Sequence, residues 1–258
     1  MKNILYLARK EFSSYFHTWQ GVFVALFFFL VSGLFFSLLI LGYAKFSLAP
    51  DAGNLEQMGV NQTDYIFGSF YMNLSTVLIF IIPILTMRGF SEERRDQTLE
   101  LLFTYPLSDR EIVLGKFLGQ VWMFELLAVP LLGYGVVAQM AGADFDWRVI
   151  FLAFAGFWML GVCYLALGFF ISSLTKSPVL SAVSTFGIFL IFWVLEWVAK
   201  VADGRTALIF QEISPLDHYR YFTLGQLHFS HAVYFALACF FFLMMSILSI
   251  STRNWKSS

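Results

Sequence analysis

Of 258 residues, 59% are hydrophobic and only 13% charged, against the roughly 25% charged residues of soluble domains. That composition excludes a single water-soluble core and reads as a membrane protein. The net charge of −1 averages a basic face with a more acidic one, and gives no basis for nucleic-acid binding.

Six apolar stretches each reach the about 20 residues that a helical span needs. They run from Gly21 to Tyr43, Tyr65 to Met87, Phe117 to Met140, Val149 to Leu174, Pro178 to Val198 and Ala232 to Ile250. All are rich in Phe and Leu and lack the sustained two-residue alternation of membrane barrels, so the expected fold is all-α. Eleven of the 16 Lys and Arg residues, Lys2, Arg94 and Lys116 among them, flank the spans on one side. By the positive-inside rule, both termini are expected in the cytoplasm. The first apolar run is of full spanning length and follows an amphipathic segment, so no cleavable leader is expected.

Lys2 to Trp19 is expected to lie in the interface as a helix. At about 100° per residue, Ile4, Leu5, Ala8, Phe12, Tyr15, Phe16 and Trp19 share one side, and Lys2, Arg9, Lys10, Ser13 and His17 the other. This helix is either a positive anchor for topology or a moving elbow. The external loop from Ala44 to Asp64 carries Pro50, Gly53 and Asn54, as suits a solvated connection. Asn61-Gln62-Thr63 fits a glycosylation sequon there, and Asn73-Leu74-Ser75 fits one inside a span, where it is coincidence.

A charge-dense island, Ser91 to Gly119, separates the second and third spans. Ser91 is placed to cap a first helix with Glu92 and Glu93 in its opening turn, where the helix dipole favours acids. Pro106 disfavours a helical residue before it, so that helix is predicted to end near Thr104 or Tyr105. Ser108-Asp109-Arg110-Glu111 is a capping box for a second helix running through Lys116 into the third span. Leu99, Leu102 and Phe103 give the first helix a small apolar ridge. The island is then either a solvated loop or a helix that fits a cleft in a soluble partner.

Further along, Glu125 is an acid within the third span, where it must face protein or water or stay protonated. Glu196 lies near enough to the end of the fifth span to be hydrated. Pro83 and Pro130 interrupt the backbone ladders of the second and third spans. Gly115 and Gly119 form a GxxxG at the mouth of the third, and Ser177, Ser181, Ser184 and Thr185 give the fifth a small-residue face for close helix contact. Residues 199–231 carry Phe210, Tyr219, Tyr221, Phe222 and Phe229 among polar residues; one or two short helices resting on the outer membrane face are expected, as an exit lid or an aromatic belt. Cys163 and Cys239 lie inside spans and read as small buried hydrophobes.

The island resembles that of ABC-2 type transporter permeases, whose loop carries E-E-(K/R)-R, a small residue, G-T-(L/I)-E-L-L, (T/S)-x-P-(L/V)-S and E-I-V-L-G-K. Glu92, Glu93, Arg94, Arg95, Thr98, Leu99, Glu100, Leu101, Leu102, Pro106, Leu107, Ser108 and Glu111 through Lys116 match it residue by residue. Gln97 departs from it, standing where the family has Gly. The likeness extends over the six-span layout and is nearest to the gliding-motility-associated and copper-site-maturation permeases.

The resemblance implies one transmembrane permease domain, residues 1–258, in an ATP-driven exporter built from two permeases and two cytosolic ATPase subunits. It makes 1–19 the connecting helix, 91–116 the coupling region and 199–231 the external segment. Glu92, Glu93, Arg94, Arg95, Thr98, Leu99, Glu100 and Leu102 would meet the ATPase. The fifth span, with Ser177, Ser181, Ser184 and Thr185, would meet the second permease, membrane lipids surround both, and the site is a bacterial inner membrane. ATP and Mg would be held by the ATPase, and this chain needs no cofactor or metal of its own. Its residues agree: a P-loop needs Gly-Lys-Ser/Thr four residues after a Gly, whereas Gly115-Lys116 precedes Phe117 and position 110 is Arg. A non-enzymatic membrane scaffold is the alternative. An intramembrane protease with a Glu-Glu-x-x-x-Arg motif ranks below both, because Glu92-Glu93 is followed by Gln97, and the four His lie at or beyond span ends.

Overall fold

The computed structural model describes residues 2–47, 63–98, 107–140, 142, 145–201 and 204–254. Every regular element among them is helical. α1 (Lys2–His17) leads into α2 (Trp19–Ser47), and a wide turn, Asp64–Gly68, opens α3 (Ser69–Thr86). The island supplies the short α4 (Ser91–Arg95); α5 (Asp109–Ala128), a tight turn at Val129–Leu131 and α6 (Leu132–Met140) then form one rod. After them come α7 (Trp147–Leu174), α8 (Pro178–Val201), α9 (Arg205–Ile213), α10 (Pro215–Thr223) and α11 (Phe229–Asn254). Among the described residues, six segments are long and apolar enough to cross a membrane: Trp19–Lys45, Asp64–Arg95, Asp109–Met140, Trp147–Leu174, Pro178–Val201 and Phe229–Thr252. The two interior prolines act differently. Pro130 tightens its rod into a 3₁₀ turn, whereas Pro83 sits inside an uninterrupted α3.

The fourth span, α7, is the hub, packing on α3, α5, α8, α10 and α11. Its glycines explain how. A Cβ at Gly156 would overlap Phe222 of α10, one at Gly161 would overlap Phe124 of α5, and one at Gly168 would overlap Thr86 of α3. Without a Cβ, three different neighbours approach one helix at three levels, the close packing that spans use where no hydrophobic force distinguishes protein from lipid. By contrast, α2 turns Phe23, Leu26, Leu30, Leu34, Leu38 and Leu41 outward at helical spacing, and α8 and α11 carry similar stripes. Exposed apolar bands of this length are foreign to a soluble monomer and suit acyl chains.

The segment between the fifth and sixth spans departs from its expected place on the membrane face. α9 does stay at the surface, with no buried residue. α10 instead sinks into the bundle, burying Leu216, Tyr219 and Phe222 against α7 and α3. Its start is set locally, by Ser214 accepting a hydrogen bond from the Asp217 amide and by Pro215 in the first turn. At its end, the Thr223 carbonyl lies where a Cβ on Gly68 would be only 2.8 Å away. Glu196 also differs from the hydrated residue expected: it is 4% exposed and accepts from Lys200 Nζ at 2.6 Å. Asn61 of the first sequon lies outside the described residues.

Candidate functional site

Below the second span the chain turns a corner at Met87–Ser91, and four separate elements close around it. The last carbonyls of a helix lack intrahelical partners, and here side chains from the amino-terminal region supply them. Tyr15 Oη donates to the Leu85 carbonyl at 2.7 Å, and Gln20 Nε2 to the Ile84 carbonyl at 2.5 Å. Burial holds the Tyr15 phenol far above its ordinary pKa, so it remains a donor. From α7, Ser172 Oγ accepts the backbone N–H groups of Phe90 and Ser91 at 3.0 and 3.3 Å. Ser91 is therefore not the cap that its sequence position suggests. Phe90 holds the capping position, and Ser91, buried, returns its own hydroxyl to the Met87 carbonyl.

Lys116 completes the corner. It is 3% exposed, and its ammonium lies 2.5 Å from Glu11 Oε1 of α1 and 2.8 Å from Glu93 Oε1 of α4, with the Phe90 ring 5.5 Å away. One buried cation thus joins the amino-terminal helix, the island and the third span. Taking charges out of water costs several kcal/mol per ion, on the order of what the pairing returns, so the value of such a cluster lies in fixing one geometry. α1 is held along its length as well. Gly115 and Gly119 form its seat, where added Cβ atoms would lie 2.8 Å from Leu7 Cβ and 2.8 Å from the Ala8 carbonyl. The polar side expected for α1 is exposed, but its buried track is Leu7, Ala8 and Tyr15 with Glu11 between, while Leu5, Phe16 and Trp19 stay outside.

Within the island, the single helix predicted to continue to Thr104 is broken after Arg95. Gln97 has φ +57°, the Thr98 amide reaches back to the Glu93 carbonyl at 2.9 Å, and the Gln97 amide to the Arg94 carbonyl at 3.4 Å. This is a Schellman closure with a left-handed residue just beyond the helix. The backbone that a Gly would favour is present, carried by Gln97. Glu92 pairs loosely with Arg88 and Arg95, each at 3.8 Å, and Arg95 closely with Asp96 at 2.9 Å, all on exposed surface. Arg94 is half-buried and Thr98 exposed. Leu99, Glu100 and Leu102 lie outside the described residues. The second helix starts as its sequence indicates, with Ser108 accepting from the Glu111 amide and Glu111 accepting from the Ser108 amide at 3.0 Å.

The other singled-out residues lie apart from this corner. Glu125 is half-buried and accepts a hydrogen bond from Trp158 Nε1 of α7 at 2.9 Å. Ser181 and Thr185 are wholly buried against the protomer's own core, Thr185 standing beside Gly168. Ser177 and Ser184 are half-buried. Glu11, Lys116, Tyr15, Gln20 and Ser172 were not legible as functional residues. For Glu11 a signal exists, since it is the acid on the track Leu7, Ala8, Glu11, Tyr15 that the helix buries.

Residues 5–253 match the ABC-2 family transporter protein family. The chain is also 29% identical over 184 residues to the probable ABC transporter permease protein NosY of Pseudomonas aeruginosa, the match covering 67% of this chain and 63% of that one. The compared region thus spans less than two thirds of that relative's length. With the match running from the amino-terminal helix to the end of the sixth span, the chain belongs to the ABC-2 transporter family.

Proposed function

We propose that this chain is the permease subunit of an ATP-driven exporter, working as a dimer and driven by cytosolic ATPase subunits that bind ATP and Mg. The observation that carries the reading is the Lys116 corner: Glu93 of the island, Glu11 of α1 and Lys116 of the third span meet at one buried ammonium. A load applied to Glu92, Glu93, Arg94, Arg95 and Thr98 would reach two spans and the amino-terminal helix without passing through a flexible link. Family membership supports the division of labour, and the basic asymmetry supports an inner membrane protein with both termini and the island in the cytoplasm. For the second permease, the fifth span offers the outward stripe Val179, Val183, Ile191 and Val194 in place of Ser181 and Thr185. A membrane scaffold without transport is the competing reading.

Site-directed cross-linking tests it. A photoreactive residue at Thr98, in membranes of a host that expresses the whole system, should give a product with a nucleotide-binding partner. Consistent absence of that product from a complex that hydrolyses ATP and exports its cargo would remove the docking assignment. Absence of any co-purifying ATPase would favour the scaffold.

A further inference from the structure

At the end of the bundle away from the Lys116 corner, two hollows meet beside α9. One, of about 450 Å³, is apolar and lies among α7, α8 and α11, with Cys163, Tyr164, Phe192, Ala238 and Phe242 in its wall. Its volume falls within the about 300–1,000 Å³ of small-molecule sites. Leu237 and Phe241 also line it and are 63% and 52% exposed. Both stand on the surface that acyl chains cover, so the hollow opens sideways into the bilayer. The other, of about 280 Å³, is polar and is lined by Glu212, Asp217, His218, Arg220 and His231.

The two are neighbours by construction. Glu212 lines both, and Tyr234, in the apolar wall, donates to the Ile213 carbonyl at 2.8 Å while His218 stacks on its ring at 3.9 Å. One buried polar atom in each makes no hydrogen bond among the described residues. Tyr164 is 1% exposed, yet its buried hydroxyl has no partner, and neither has Asp217 Oδ2. Burial, with Glu196 adding to it, raises the Asp217 carboxyl above its ordinary pKa, outweighing the opposing pull of Ser214, Lys200 and Arg220. The polar hollow carries both signs of charge. A purely anionic head would meet two carboxylates there, and a purely cationic one would meet Arg220.

We propose that the two hollows are one binding site for a zwitterionic membrane lipid of the phosphoethanolamine type, taken from the leaflet on the α9 side. One acyl chain occupies the apolar hollow, and Tyr164 donates to the ester region. The ammonium faces Glu212 and Asp217, and the phosphate faces Arg220 and His231. This needs only that the chain spans a membrane, and neither the orientation nor the ATPase coupling proposed above.

The test uses the full chain in nanodiscs of phosphatidylglycerol, containing a trace of phosphatidylethanolamine with a diazirine in its acyl chain, or the same trace of diazirine phosphatidylglycerol. After illumination, labelled positions are mapped by mass spectrometry. The ethanolamine probe should label Cys163–Leu167 severalfold more than the glycerol probe, while both label Leu26–Leu30 of α2 equally. Ala238→Trp, which fills the apolar hollow, should lower the label at Cys163–Leu167 severalfold. Glu212→Gln with Arg220→Gln should do the same, and because both side chains are exposed, this variant still decides the matter if Ala238→Trp fails to assemble. Equal labelling by the two probes, or label confined to Leu237 and Phe241, would mean lipid contact at the surface only and would overturn the proposal. Label that persists undiminished in the assembled variants would overturn it too.

Discussion

At Lys116 a single methylene chain carries its charge into a place where water does not follow, and two carboxylates meet it there. Lys116→Met removes the cation and leaves Glu11 and Glu93 facing each other. Breaking a buried pair in this way costs about 3–5 kcal/mol when burial is complete; with the two acids about one-fifth exposed, the lower end of that range is expected. Thermal unfolding in detergent should show a clear loss for Lys116→Met and a large recovery when Glu11→Gln and Glu93→Gln are added. If the triple variant is as unstable as the single one, the cluster is not what holds the corner. Gln97 is a second test at this scale. A left-handed residue other than Gly costs about 1–2 kcal/mol, of which a Gly gives back about 0.5–1 kcal/mol through its freer unfolded chain. Gln97→Gly should therefore slow hydrogen exchange at the Thr98 amide modestly, and Gln97→Val should speed it, since a β-branched residue resists positive φ. An opposite order would show that the turn is set from outside the island.

Among elements, α1 depends on a seat made by two glycines of another helix. Gly119→Leu would drive a side chain into the Ala8 carbonyl and Glu11 Cβ, lifting α1 while leaving all six spans intact. Limited trypsin digestion at Arg9 and Lys10 should then be faster, with the protein still inserted; unchanged digestion would place the hold on α1 elsewhere. Between the third and fourth spans, Glu125→Gln should keep the acceptor for Trp158, whereas Glu125→Leu strands the indole N–H at a cost of about 1–3 kcal/mol. Melting temperature and size-exclusion profile, measured apart from transport, separate the two substitutions, and equal profiles would deny the bond a structural role. These pairings also mark what the sequence can and cannot disclose. Spans, the Ser108–Glu111 cap and the short helices between the fifth and sixth spans follow from composition and local spacing. The partner of Gly115 and Gly119 does not, because a GxxxG states only that something approaches closely. Nor does the reach from Glu11 to Lys116, since two charges so far apart in sequence leave no periodic trace, and Thr185 reads equally well as facing a sister chain or Gly168 of α7.

For the whole molecule the open issue is which way it faces, and the fold narrows the measurement. An even number of spans puts α4 and both ends of the chain on one side and α9 on the other, so one label on each side fixes everything. Ten basic residues beside the termini and the island, with Lys176 between the fourth and fifth spans, predict that this side is the cytoplasm. Cys163 is buried and Cys239 half-buried in the bundle, so both can be replaced by Ala as the background for single reporters. A cysteine at Gly204, in the turn before α9, should react with an impermeant maleimide on intact cells. One at Asp96, on the exposed end of α4, should react only after the membrane is opened. The reverse pattern would move the Lys116 corner to the outside, beyond the reach of any cytosolic ATPase, and the proposed coupling would fall with it; the lipid site beside α9 would survive, drawing on the inner leaflet instead.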